Sequence, residues 1–121
     1  QPIERGTTTT DQGEARQGGV IYSMGNFRSG MRKYPTAIGG LYYITLVRPA
    51  PGARAAVSNF KYVPTWVDKD PRYLVYPAEQ GVHDYEQGLP TTLDAEDYGN
   101  CMEAGRFARE ILGKDCFQPL Y

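Results

Sequence analysis

The chain is expected to fold as an α+β domain, rich in mainly antiparallel strands and closed by a C-terminal helix. Three observations carry this. Ten tyrosines, four phenylalanines and one tryptophan gather mainly in the middle of the chain, where aromatic side chains pack well on a pleated sheet. Fourteen glycines and nine prolines imply many turns. From Asp94 onward the apolar residues take up helical spacing. A length of 121 residues fits one domain with a moderate core.

Residues 5–19 are polar, with Thr7-Thr8-Thr9-Thr10 and Asp11-Gln12-Gly13 and no apolar period, and read as a mobile loop. Val20 to Met24 reads as a buried first strand running into a Gly25-Asn26 turn. Gly25 suits positive φ there, and Asn26 is one of the few other residues that tolerate it. Residues 28–39 read as a second loop, broken by Gly30, Pro35 and Gly39-Gly40. Leu41 to Val47 forms a strong strand, stopped by Pro49-Ala50-Pro51-Gly52. That turn sends Ala55 to Val63 back antiparallel, with alternation that gives the sheet one wetter face. Pro64, lacking an N–H, is expected to end the regular ladder, with Trp66-Val67 extending beyond it. Asp68-Lys69-Asp70-Pro71 turns the chain into a short last strand, Tyr73 to Tyr76, closed by Pro77. Residues 78–93 read as irregular. The helix covers 94–113, with Asp94 as N-cap, Glu96 and Asp97 in the first turn and Gly113 as its stop.

The formal net charge is −1, with 22% charged residues of both signs dispersed along the chain. Neither nucleic acid nor an anionic membrane is expected as a partner. No run of basic residues exceeds two, as at Arg32-Lys33, so a basic groove is not expected. Apolar runs fall far short of the ~18 residues a membrane helix needs, and no segment reads as a signal peptide; the chain is expected to be soluble. It opens on Gln1 inside what reads as a meaningful motif, which suggests a piece of a longer protein.

Taken alone, the residues offer no complete catalytic constellation. The lone histidine, His83, lies in a polar loop beside Asp84, whereas a metal site wants several converging ligands. Ser23 lacks the glycine pattern of a nucleophile elbow. Cys101 and Cys116 lack Cys-x-x-Cys spacing. A disulfide between them requires the chain to fold straight back along a helix covering roughly 16 Å, because the two Cα atoms must come within about 7 Å. Free thiols are the expectation. Asp68 and Asp70 are accounted for by the turn before Pro71.

Four segments give a further reading. Gln1-Pro2-Ile3-Glu4, Ile21-Tyr22-Ser23-Met24-Gly25-Asn26-Phe27, Tyr62-Val63-Pro64-Thr65-Trp66-Val67 and Tyr73-Leu74-Val75-Tyr76-Pro77 occur in this order. The arrangement resembles the bacterial CapA-type family, the poly-γ-glutamate capsule-synthesis proteins. That family's hallmark has leucine where Met24 stands, a volume-conserving departure. The resemblance covers roughly residues 1–77; the remainder matches only in having a terminal helix.

The resemblance implies the β-rich C-terminal part of a four-layer αββα sandwich similar to calcineurin-like metallophosphoesterases. It makes Glu4, Ser23, Gly25 and Asn26 the candidates for lining the cleft, with the metal ligands of the complete domain upstream of Gln1. No cofactor is expected in this chain, although a divalent metal is implied for the complete domain. The implied role is synthesis or transport of an anionic surface polymer by a cell-surface, membrane-anchored protein. A metal-dependent phosphoesterase with its ligands upstream is one alternative, and a non-catalytic interaction scaffold is another. Expected partners are the missing N-terminal part of the domain, a second copy of the chain, or capsule-synthesis membrane proteins. By itself the chain is not expected to be catalytic.

Overall fold

The computed structural model describes residues 3–21, 24–26, 38–68 and 73–121, with the side chains of Arg5 and Gln17 outside that description. The element order is β1 (Glu4–Thr9), β2 (Ala15–Val20), β3 (Ile38–Val47), β4 (Ala56–Asp68), β5 (Leu74–Pro77), α1 (Ala78–Glu86) and α2 (Ala95–Leu112). Strands β1 and β2 form a two-stranded antiparallel sheet. Strands β3, β4 and β5 form a three-stranded antiparallel sheet with β4 in the centre. The architecture is mixed α and β and ends in a helix, as the aromatic and helical patterns imply.

Residues 5–19 are a hairpin rather than a loop. Glu4 pairs with Val20 and Thr9 with Ala15. At the tip the Thr10 N–H donates to Glu14 O at 2.9 Å, the Gly13 N–H to Thr10 O at 2.9 Å, and Gly13 takes φ 78°. The threonines that read as low complexity are β-branched and favour extended backbone. The hairpin shows no apolar alternation because its described residues are mostly exposed, so backbone pairing defines it.

Val20 to Met24 is not a buried strand. Val20 ends β2 in an exposed position, Ile21 and Met24 lie outside any strand, and Met24 is 62% exposed. Tyr22 and Ser23 lie outside the described residues. Residues 28–37 of the expected second loop also lie outside them, whereas Gly39 and Gly40 belong to β3. That strand therefore begins three residues before Leu41, at Ile38.

The β3–β4 hairpin holds one register from Ile38–Trp66 to Thr45–Asn59, then shifts so that Leu46 faces Val57. Ser58 is the extra residue of a bulge, and its hydroxyl donates to Thr45 O at 3.4 Å. Pro64 does not end the ladder, because β4 runs through it to Asp68. The Tyr62 N–H donates to Cys116 O, and the Gln118 N–H donates to Tyr62 O. Alternation by two aims the missing Pro64 N–H toward that same edge. There it falls between the Tyr62–Phe117 bridge and the first β5 pair, Thr65–Pro77. No ladder bond to β3 is lost. Asp68 is still in β4, and residues 69–72 of the expected turn lie outside the described residues.

Residues 78–86 form a helix where irregular chain is expected. Gly81 weakens the helical pattern, but packing demands it. A Cβ there would lie 3.0 Å from both Cys101 Sγ and Leu93 Cδ1. Helix α2 matches its expected span. Asp94 and Asp97 form a reciprocal capping box, with the Asp97 N–H donating to Asp94 Oδ1 at 2.9 Å and the Asp94 N–H to Asp97 Oδ2 at 3.1 Å. Gly113 follows as the cap.

Both helices pack on one face of β4. The core cluster comprises Ile38, Trp66, Ala78, Leu93, Cys101 and Ala104, with Tyr76, Val82 and Phe107 against it. Tyr62 ties the end of α2 to the sheet by donating its hydroxyl to Gly113 O at 2.6 Å. Cys101 and Cys116 are free thiols.

Candidate functional site

The Gly25-Asn26 corner is held against the start of β3. Gly25 has φ 70° and forms an antiparallel bridge with Gly39. The Asn26 N–H donates to Ile38 O at 3.0 Å. A Cβ on Gly25 would lie 2.5 Å from Ile38 O, so both its dihedral and its neighbour require glycine. Met24, Gly25 and Asn26 are exposed together, at the edge of the sheet. Glu4 lies elsewhere: it is the exposed first residue of β1, paired with Val20 in the other sheet. Ser23 lies outside the described residues. Of the four candidates, Gly25 and Asn26 are therefore adjacent, and Glu4 is on a separate element.

A second constellation is built around Asp68, which composition and spacing reduce to a turn residue. It is 3% exposed at the end of β4. Thr92 donates its hydroxyl to Asp68 Oδ2, and the Tyr76 hydroxyl lies 3.3 Å from Thr92 Oγ1. Thr92 has one hydroxyl proton and gives it to the carboxylate, so Tyr76 donates to Thr92. The chain Tyr76–Thr92–Asp68 pins the segment before α2 onto the sheet. No periodicity marks this contact, because the two partners are 24 residues apart.

Acidic groups shape the local electrostatics. Burial, followed by the neighbouring Asp94 and Asp68 charges, raises the Asp97 carboxyl above its ordinary value, although its hydrogen bond from the Asp94 backbone opposes the shift. Burial, then the Asp97 and Asp68 charges, push the Cys101 thiol up to about 12. Burial thus favours the neutral thiol, the opposite of the shift that activates a nucleophilic cysteine. His83 stacks face to face on Tyr121 at 3.9 Å between ring centroids, and its Nδ1 lies 3.3 Å from Asp84 Oδ1. Among the described residues no three His, Cys, Asp or Glu side chains gather closely enough to hold a metal ion.

Basic residues do converge, contrary to expectation. Arg16, Arg48 and Arg54 line one open cleft between the two hairpins. Arg16 is 32 residues from Arg48, and five residues separate Arg48 from Arg54, so no run of basic residues announces them.

Comparison of the chain with models of known protein families, with curated proteins and with solved structures returns no match.

Proposed function

We propose that this chain is part of a CapA-type capsule-biosynthesis protein, acting in the synthesis or transport of an anionic surface polymer such as poly-γ-glutamate. The observation that carries this reading is the Gly25-Asn26 corner. The two residues at the centre of the family hallmark fall where the chain turns onto the sheet through a left-handed glycine that no other residue fits. The order of the four motif segments along the chain supports it further.

The finer fold belongs to the same proposal. The three-stranded sheet and its helices make up the β-rich C-terminal part of a four-layer αββα sandwich, and the rest of that domain or a second copy covers the open part of the sheet. Supporting this, Leu41, Tyr43, Ile44, Leu46 and Val47 are all exposed along β3, an apolar density that usually marks an interaction surface. In the complete domain the Gly25-Asn26 corner lines the cleft, and Glu4, on β1, reaches it only from the other sheet. A divalent metal, where the domain uses one, is held by residues outside this chain. The proposed location is the cell surface, through a membrane anchor elsewhere in the protein. No helix among the described residues is long and apolar enough to cross a membrane.

Disrupting the gene in its host is expected to remove the surface polymer, measured as glutamate released by acid hydrolysis of polymer extracted from the cell surface and freed of protein. The intact gene should restore it. An unchanged polymer content after disruption overturns the proposal. The phosphoesterase alternative is tested separately: residues 1–121 supplied with manganese or zinc should not hydrolyse a generic phosphodiester. Turnover by this chain alone would place a competent site within it.

A further inference from the structure

The arginine cleft lies between the tip of the β1–β2 hairpin and the β3–β4 turn. Thr7 and Arg16 line one side, Arg48 and Arg54 the other, and four alanines complete the walls. Its volume is about 670 Å3. Among the described residues, the three arginines are the ionisable side chains that line it. Glu14 sits beside it and pairs with Arg54. Counted over the described residues, three positive charges against one negative charge leave +2 at the site. Arg16 and Arg48 make no ion pair with an acid among the described residues.

Three guanidinium groups facing one cleft repel each other, and a multivalent anion between them converts that repulsion into attraction. Each guanidinium offers a rigid fork of donors that matches an oxyanion in bidentate fashion. The space exceeds one tetrahedral oxyanion, so a ligand with two linked anionic groups uses it better. The alanine walls supply no aromatic platform, which argues against a stacked nucleobase or a nucleic-acid strand. A phosphate group concentrates more charge on one centre than a carboxylate does, and the net +2 of the site favours that density.

We propose that the cleft formed by Arg16, Arg48 and Arg54 is a binding subsite for a small diphosphate anion. Glu14 holds Arg54 in place by its ion pair and competes with the ligand for it. This inference stands apart from the capsule reading, because it uses none of the motif residues.

The test is calorimetric titration of the whole chain with inorganic pyrophosphate, with citrate as the carboxylate control. Saturable one-to-one binding that weakens with added salt is expected. Arg16→Gln and Arg48→Gln should each weaken it about tenfold. Glu14→Gln should tighten it by freeing Arg54, and Lys114→Gln, on the tail after α2, should leave it unchanged. Circular dichroism compares the folding of all variants. Amide shifts in the NMR spectrum should fall at Thr7, Arg16 and the 48–56 segment. The inference is overturned by absent saturation, by affinity indifferent to Arg16 and Arg48, or by shifts confined to other residues. Citrate binding as tightly as pyrophosphate overturns the diphosphate assignment.

Discussion

The half of the molecule beneath the helices and the half formed by the two hairpin tips are held by different forces. Under α1 and α2, Trp66, Cys101, Ala104 and Leu93 are buried together, and β4 is buried on both of its faces from Tyr62 to Asp68. At the hairpin end β3 and β4 keep their ladder, but Leu46 is 65% exposed and Val47 and Ile44 are also exposed. Burial of apolar area is the main stabilising term in folding, and it is concentrated in the first half. The second half relies on backbone pairing and displays its side chains. The same chain thus separates a region that secures the fold from one that presents apolar and basic surface.

The sharpest test of this contrast is a pair of truncations. Trp66→Ala should cost about 3–5 kcal/mol, whereas Leu46→Ala should stay within about 0.5 kcal/mol, both measured by urea unfolding. Equal costs would break the comparison.

Next in size is the corner at Gly25, which belongs to neither half. Gly25→Ala should destabilise by roughly 2–3 kcal/mol, from its left-handed φ and its clash with Ile38 O. Gly52→Ala, with φ 81° at the β3–β4 turn but open space around it, should cost only about 1 kcal/mol. A smaller loss at Gly25 than at Gly52 would mean that the corner does not sit tightly on β3.

Alkaline pH should weaken the buried half through Cys101 and Tyr62. Cys101 is shifted from 9.0 to about 12 and Tyr62 from 10.0 to about 12, burial being the first cause for both. Both folded values lie above the unfolded ones, so the neutral forms add stability that is fully present below about pH 9. It declines as pH rises toward 12, because unfolding then releases protons. Urea midpoints at pH 8 and pH 11 should therefore differ more for the parent chain than for Cys101→Ala. Identical pH dependence in the two would exclude Cys101 as a contributor.

The smallest expected effect separates two helical glycines. Gly105→Ala, with nothing near its Cβ position, should stabilise α2 by about 0.8–1 kcal/mol. Gly81→Ala gains the same helix propensity but presses on Cys101 and Leu93, so its thermal midpoint should rise less or fall. An equal rise at both positions would show that the packing between α1 and α2 is loose enough to absorb a methyl group.

Where one local signal suffices, the sequence by itself determined the structure. Asp94 and Gly113 bracket α2 because cap and stop chemistry acts within one turn of the helix. Leu41 to Val47 lies in a strand because its side chains suit extended backbone. Gly25 takes the left-handed turn because it has no Cβ. Tertiary structure decided the rest. Packing against Cys101 and Leu93 accommodates Gly81 within α1, and the gap beside β5 accommodates Pro64 within β4. The pairing of Asp68 with Thr92, and the meeting of Arg16, Arg48 and Arg54, each join residues from separate elements. Spacing along the chain records only near neighbours, whereas these contacts depend on how the sheet and hairpins bring distant segments together.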